Sequence, residues 1–308
     1  MDDNVQEFIN DGVTVFENIF TDEEIEKIRD SFHEQLQDYG INHTDILNKA
    51  VKPPNNIRIK GAPSRIFYKK WKIDVSFNEK VYNCMKILME KTFASGEQKY
   101  FEHDMGKFDD LYGYIDRVCY RLPDDIKEEG GLLLHIDRNP FDPELKKCGG
   151  MTKWRPIQAF IALTDQFGSE SGGLRVVKGF HKEIDEYFKN NNENISGGGE
   201  FFRLISKSHT KLEKRCQPVN APKGSLVCWD NRLPHATAQK CAGNDTREVV
   251  YVGYLPSIDI NRIYVQQQLS HLRKNIPPPA YYEKDETSDK DWNEKDLTNI
   301  QKKLLGVV

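Results

Sequence analysis

Short apolar segments separated by turn-forming residues make up the chain from about residue 112 to residue 256. The segments are 113–122, 132–136, 157–164, 174–177, 225–230, 236–240 and 247–255. Glycine-containing turns stand between several of them, as at Gly172-Gly173 and Gly224. Short strands in close succession are typical of a β-sandwich or a jelly roll, whereas strands that alternate with helices would indicate a parallel sheet. We therefore predict a mainly β core with supporting helices.

Helical patterns lie on both sides of this core. Residues 21–40 begin with Thr21 and Glu24 in the spacing of a capping box, and apolar residues then recur at helical intervals. Further helices are predicted over 78–93 and 259–274. The last residues, LTNIQKKLLGVV, form a short amphipathic pattern that is expected to pack back on the body.

These patterns divide the chain into three regions. We predict a helical N-terminal support over about 1–110, which also holds a short strand within 12–20 and a long polar loop over 41–64. The β core follows over about 112–256, and a C-terminal helical extension over 257–308. The stretch 190–200, NNNENISGGGE, is predicted to be a surface loop or a lid.

Composition argues against several classes of protein. With a net charge of −4 over 308 residues, the chain has no basic excess that would attract nucleic acid. It has no run of about 18 apolar residues, so we expect no membrane span. Its first residues, MDDNVQEFIND, lack the apolar segment of a secretory signal, so we expect a cytoplasmic protein. The six cysteines form no C-x-x-C pair, so a zinc ribbon is not expected.

Two polar residues end one of the apolar segments, in the stretch GGLLLHIDRNP at 130–140. Residues two apart in a strand share a face, so His135 and Asp137 are expected to point the same way. A metal would satisfy both side chains, and so would a simple His–Asp hydrogen bond at a strand end. His-x-Asp or His-x-Glu occurs three times in the sequence, but the matches at His43 and His181 do not follow an apolar strand.

A third metal ligand is available further along the chain. His235 lies between two predicted strands, and twelve residues later Arg247 opens the next apolar segment. Two histidines and one carboxylate form the facial triad that suits non-haem Fe(II) and leaves open positions. An arginine at Arg247 could present its guanidinium to a carboxylate. Taken singly, His235 could be a turn histidine and Arg247 a surface arginine at a strand end.

With these residues in place, the chain resembles the Fe(II)/2-oxoglutarate-dependent dioxygenases of the phytanoyl-CoA dioxygenase-like branch. EFINDGVTVFENIFTDEEIEKIR is similar to the N-terminal strand and helix of that family, and HID with RLPHAT and Arg247 to its iron and cosubstrate signature. Two departures stand out: KGFH at 178–181 replaces a usual Pro-Gly-Ser-His run, and Ser225 replaces a common Asp. The resemblance covers about residues 7–256, which it implies form one dioxygenase domain.

The resemblance implies a double-stranded β-helix, that is, a jelly roll, with Fe(II) and 2-oxoglutarate as cofactors. It implies that His135, Asp137 and His235 are the iron ligands. The residues that it implies for 2-oxoglutarate are Arg247, Thr237, Trp154 and Tyr120. For Trp154, packing in the core is an equally strong interpretation.

The implied reaction hydroxylates a C–H bond of a small molecule and releases succinate and CO2. Basic residues near the expected mouth indicate an anionic substrate, with Arg138 and Arg175 as the candidate contacts, although a solvated basic rim would look the same. The alternative function is a non-catalytic, or 2-oxoglutarate-independent, metal-binding jelly-roll protein. The intact set His135, Asp137, His235 and Arg247 argues against that alternative.

Overall fold

Two five-stranded antiparallel sheets lie at the centre of the protein in its computed structural model. The structure describes residues 1–53, 66–94, 108–128, 130–137, 139–141, 153–191, 202–205, 207–279 and 290–308. The strands are β1 (Val13–Phe16), β2 (Leu111–Arg121), β3 (His135–Ile136), β4 (Ile157–Ala162), β5 (Leu174–Val176), β6 (Phe202–Arg203), β7 (Gln217–Pro218), β8 (Leu226–Asp230), β9 (His235–Thr237) and β10 (Arg247–Pro256).

The first sheet has the strand order β1-β8-β4-β10-β2, and the second has the order β6-β3-β9-β5-β7. Side chains from the inner faces of both sheets share one hydrophobic cluster, which includes Phe160 and Trp229 from the first and Ile136 and Val176 from the second. The prediction of a strand-rich body with supporting helices is therefore confirmed at this level. The predicted N-terminal region also contributes to it, because β1 pairs with β8 inside the first sheet.

Helices cover the outer face of the first sheet. The α-helices are α1 (Asp2–Asp11), α2 (Asp22–Gln37), α3 (His43–Leu47), α4 (Lys70–Ser76), α5 (Glu79–Met89), α6 (Ile184–Asn190), α7 (Thr210–Arg215), α8 (Asp259–Arg273) and α9 (Asn299–Leu304), and a π-helical turn at Glu90–Ala94 continues α5. Apolar residues of α1, α2 and α5, such as Phe8, Phe32 and Met85, join Val118 and Val250 of the sheet in a second buried cluster. Those of α6 and α7 belong instead to the cluster shared by the two sheets. None of the helices in the described part of the chain is long and apolar enough to cross a membrane.

Most predicted elements exist, although their bounds differ from those that the sequence indicated. The helix predicted over 21–40 is α2, the one over 78–93 is α5 with its π-helical turn, and the one over 259–274 is α8. The prediction of a loop throughout 41–64 is wrong in its first part, where α3 forms. The stretch 192–200, most of the predicted lid, lies outside the described residues.

The C-terminal region packs against the core through a buried amide. Asn261, in the first turn of α8, accepts a hydrogen bond from the Trp154 main-chain N–H at 2.6 Å and donates to the carbonyls of Trp154 and Pro256. Gln268, two turns further along α8, bonds to the β2 main chain at Gly113 and Ile115. Side-chain amides thus satisfy main-chain groups that would otherwise be buried without partners.

The N-terminus of α2 provides a test of local stability. Thr21 Oγ1 accepts a hydrogen bond from Glu24 N at 3.2 Å, and Glu24 Oε2 accepts one from Thr21 N at 2.8 Å. Thr21→Ala removes one acceptor and should lower the free energy of unfolding by about 1 kcal/mol. Urea unfolding would measure the loss. Thr21→Ser keeps the hydroxyl and should unfold close to wild type; equal losses in both variants would show that the cap is not the cause.

Candidate metal centre and cavity

Strand pairing in the second sheet places two histidines side by side. His135 of β3 is directly opposite His235 of β9, and their ring centroids are 4.1 Å apart. The register is supported by Thr237, whose hydroxyl accepts a hydrogen bond from Leu132 N at 2.6 Å. Gly131 allows this close approach, because a Cβ there would lie 2.5 Å from the carbonyl oxygens of Thr237 and Ala238.

Asp137 follows β3 directly and completes a cluster of three potential ligands. Its Oδ1 lies 3.5 Å from His135 Nε2, and its Oδ2 lies 3.7 Å from His235 Nε2. One donor atom from each of the three residues lies within 4.8 Å of the others. Two imidazoles and one carboxylate match the donor set of the non-haem iron facial triad. The cluster can also hold other divalent metals that accept nitrogen and oxygen ligands.

Hydrogen bonds around the cluster fix how the rings are presented. His135 Nδ1 lies 2.8 Å from the Leu133 carbonyl, and His235 Nδ1 lies 3.0 Å from the Leu233 carbonyl. These carbonyls accept the Nδ1 protons, so each Nε2 is left with a lone pair directed at Asp137. Outer hydrogen bonds of this kind are typical of metal-binding histidines.

The surroundings favour the protonation states that metal binding requires. Burial, with the neighbouring His135 adding to it, lowers the pKa of His235 to about 4. For Asp137, burial acts to raise the pKa, but His135 and His235 outweigh it and hold that pKa well below its usual value. At neutral pH, His235 is therefore neutral and Asp137 ionised, as ligands to a cation must be.

A cavity of about 410 Å³ opens between the two sheets beside these three residues. The second sheet contributes the three possible ligands, Leu174 and Thr237, and the first sheet faces them with polar and aromatic side chains. The residues of the first sheet that line the cavity include Tyr114, Asp116, Arg117, Gln158, Phe160, Arg247 and Tyr251. The size is within the range of pockets that bind small molecules.

Arg247, the first residue of β10, lies in the cavity wall and is 4% exposed. Its Nε donates to Gln166 Oε1 at 2.9 Å, and its guanidinium lies 5.7 Å from the centroid of the Phe160 ring. Nη1 is 3.1 Å from Cys119 Sγ. Buried contacts on several sides hold this cation in one orientation, in which it can serve as a fixed site for an anionic group.

Two of the residues expected at the cosubstrate lie elsewhere. Tyr120 lies on the outer face of the first sheet, where its hydroxyl is 2.9 Å from His43 Nδ1 and its ring packs against Phe32. The reason is a β-bulge in β2, between the pairs Val250↔Val118 and Val252↔Ile115, which shifts the alternation of faces. Trp154 is buried in the cluster under the helices, next to α8.

The basic residues expected at the mouth are also arranged differently. Arg175 lies between Leu174 and Val176, which point into the core, and its guanidinium pairs with Glu213 of α7 at 2.9 Å. Arg138 lies outside the described residues. Besides Arg247, the described arginines that line the cavity are Arg117 and Arg155, and Arg155 pairs with Asp116 at 2.9 Å.

Sequence reasoning did not identify Gln158 and Tyr251, which both line the cavity. Gln158 Nε2 donates to Asp137 Oδ2 at 2.5 Å. Both residues could have been recognised in the sequence. Gln158 is the one polar residue in the apolar run IQAFIA of β4. Tyr251 is four residues after Arg247 and therefore on the same face of β10.

Comparisons with known proteins give a family and a fold. Residues 144–306 match the family model described as Gig2-like. A Dictyostelium discoideum protein that carries the provisional name phytanoyl-CoA dioxygenase is 22% identical over 328 residues, which covers 96% of this chain and 84% of that protein.

Solved structures have the same overall fold at low sequence identity. The crystal structure of GlcNAc Inducible Gene 2 (DUF1479) from Candida albicans superposes with a TM-score of 0.73 at 18% identity, covering 98% of this chain and 75% of that one. The epimerase SnoN, solved with Fe3+, alpha ketoglutarate and nogalamycin RO, superposes with a TM-score of 0.53 at 9% identity over 96% of both chains.

The hydrogen bond from Gln158 to Asp137 provides a test of the metal centre. Gln158→Met keeps the side-chain volume but removes the donor, so we expect the affinity for Mn2+ to fall roughly ten- to a hundredfold. Calorimetric titration of the metal-free protein would measure it. Gln301→Met, which changes a buried glutamine of α9 instead, is the matched control. Equal affinities for the Gln158→Met variant and wild type would exclude a role for this bond in metal binding.

Proposed function

The chain belongs to the Gig2-like family. We propose that it is an Fe(II)- and 2-oxoglutarate-dependent oxygenase that hydroxylates a C–H bond of a small molecule. The observation that carries the proposal is the cluster of His135, Asp137 and His235 beside a cavity that also contains a buried arginine. The names of the Dictyostelium relative and of SnoN, whose structure contains iron and alpha ketoglutarate, support it.

We further propose that the two sheets form a double-stranded β-helix. Both sheets are antiparallel, and the sequence-distant strands β3, β9 and β5 are neighbours in the second sheet, which the crossovers of a jelly roll would produce. The likeness to SnoN supports this topology. In such a barrel, the closed core would confine the reaction and exclude water from it.

In this proposal, the Nε2 atoms of His135 and His235 and one carboxylate oxygen of Asp137 hold Fe(II). When bound, Fe(II) with 2-oxoglutarate and O2 supplies the oxidation of a C–H bond, with release of succinate and CO2. The chain itself orients the ligands through the Leu133 and Leu233 carbonyls. Gln158 holds the Asp137 oxygen that lies nearer to His235.

We propose that Arg247 binds the carboxylate of 2-oxoglutarate that is remote from the metal. It is the arginine of the first sheet that is held by Gln166 and lies against Phe160. The Thr237 hydroxyl, which lines the same cavity, accepts from Leu132 N and keeps its own proton to donate. Tyr251 lines the cavity as well and extends the polar surface next to Arg247.

The charge of the cavity favours an anionic substrate. Among the described lining residues, the three arginines Arg117, Arg155 and Arg247 outnumber the two aspartates Asp116 and Asp137, which leaves one net positive charge. A divalent metal and a doubly charged cosubstrate add no net charge to that sum. We therefore propose Arg117 and Arg155, rather than Arg175, as contacts for a carboxylate or another anionic group.

The iron ligands can be tested by activity. Asp137→Ala and His235→Ala each remove one of three ligands, so we expect iron-dependent succinate formation from 2-oxoglutarate to be abolished while the proteins stay folded by circular dichroism. His271→Ala, at the end of α8, is the matched control and should keep wild-type turnover. Full turnover in either ligand variant would contradict the assignment.

Arg247 can be tested by separating its two expected effects. Arg247→Ala removes a charge-assisted contact, so the KM for 2-oxoglutarate should rise roughly ten- to a hundredfold while the Fe(II) requirement changes little. Steady-state succinate formation at varied 2-oxoglutarate and at varied Fe(II) would measure both. Equal effects on the two requirements would argue against a carboxylate-binding role.

The substrate class can be tested with paired compounds. Small carboxylic acids should stimulate succinate formation, whereas their methyl esters should not, because the ester removes the charge that Arg117 and Arg155 attract. For a stimulating acid, Arg155→Gln should weaken the stimulation at least tenfold. Arg175→Gln, whose side chain is paired with Glu213 outside the cavity, should not. Equal stimulation by acids and esters would rule out an anionic substrate.

A further inference from the structure

A second group of metal-binding side chains lies on the other face of the first sheet, away from the cavity. It consists of His33 of α2, His43 of α3 and Glu248 of β10, and one donor atom from each lies within 4.8 Å of the others. His33 Nε2 is 2.8 Å from Glu248 Oε1, and His43 Nδ1 is 3.9 Å from the same oxygen. The two imidazole rings are stacked with their centroids 3.7 Å apart.

Glu248 is the centre of this group. It is fully buried, although it follows Arg247 directly, because neighbouring residues of a strand point to opposite faces of the sheet. Arg29 pairs with its Oε2 at 3.0 Å, and the Thr246 hydroxyl donates to its Oε1 at 2.5 Å. A buried carboxylate is costly unless it is paired or coordinates a metal, and here Oε1 is directed at both histidines.

We infer that His33, His43 and Glu248 bind a second divalent metal ion, for which Zn2+ is the best match. Two imidazoles and one carboxylate oxygen are a usual donor set for Zn2+. Ligand atoms around a tetrahedral Zn2+ are about 3.3 Å apart, and the two nitrogen–oxygen distances given above lie on either side of that value. The fourth ligand would be a water molecule or the Tyr120 hydroxyl, which is 2.9 Å from His43 Nδ1.

The charges around the group are compatible with a cation. Glu248 and Asp245 each carry one negative charge, and Arg29, which pairs with both, carries one positive charge. With neutral histidines the group is therefore negative by one charge, and a divalent ion makes it positive by one. Before His33 Nε2 can accept a metal, it must give up its hydrogen bond to Glu248, and the ring proton must move to Nδ1.

A metal at this position would have a structural effect on the cavity. It would tie α2 and α3 to the start of β10, where Glu248 and Arg247 are adjacent. These segments are separated by about 200 residues in the sequence. The two metal centres would then lie on opposite faces of one sheet, with the second holding the strand from which Arg247 enters the cavity.

Zinc stoichiometry in single-site variants tests the inference without relying on the proposed function. The full-length protein is stripped with a chelator, incubated with Zn2+ and desalted in citrate, and bound zinc is measured by mass spectrometry. Wild type should retain about two ions per chain, whereas Asp137→Ala and His43→Ala should each retain about one. The double variant Asp137→Ala/His43→Ala should retain none, and His271→Ala should match wild type.

Thermal unfolding gives a second measurement that does not depend on counting ions. Zn2+ should raise the Tm of Asp137→Ala, which keeps only the second group, and leave the Tm of Asp137→Ala/His43→Ala unchanged. His33→Ala can replace His43→Ala should the latter not fold. The inference is overturned when Asp137→Ala binds no zinc, or when His43→Ala retains as much zinc as wild type. Hydrogen bonds alone would then explain why His33, His43 and Glu248 lie together.

Discussion

The register between β3 and β9 is the constraint on which the candidate centre depends. His135 is opposite His235, and the side chains of a strand alternate, so a slip of one residue would turn one histidine to the other face of the sheet. Because β3 has only two residues, contacts beside it help to maintain the pairing. They include the bond from Leu132 N to the Thr237 hydroxyl and the bond from Thr237 N to the Leu132 carbonyl. Asp137 is then placed by chain connectivity and held by the hydrogen bond from Gln158.

Strand β10 connects the two polar groups of the first sheet. Arg247 and Tyr251 project into the cavity between the sheets, while Glu248 projects toward α2 and α3. One strand therefore carries a buried cation on one face and a buried anion on the other. The anion is balanced by Arg29, whereas the cation contacts Gln166 and an aromatic ring, which carry no charge.

The sequence contained enough information for most of the strands and for the possible metal ligands, but not for β6 and β7 or for every cavity residue. His135 and His235 could be found because polar residues at the ends of apolar strands need a partner. Arg175 could have been placed by strict alternation along its strand, since it lies between two inward apolar residues. Alternation does not place Gln158, because β4 is buried on both faces. Tyr120 could not, because the bulge in β2 depends on its pairing with β10, and no local pattern reveals it. Short elements such as α3 are also too brief for helical periodicity to appear.

An anaerobic titration of the metal-free protein with Fe(II) and 2-oxoglutarate tests directly whether this cavity binds both. We expect a weak visible charge-transfer band that appears only when both are present, and that fades as succinate forms once oxygen is admitted. The band should be absent in His235→Ala, which lacks one of the three ligands, and should require more 2-oxoglutarate in Arg247→Ala. Iron binding without such a band, or no iron binding at all, would contradict the assignment of this cavity to Fe(II) and 2-oxoglutarate.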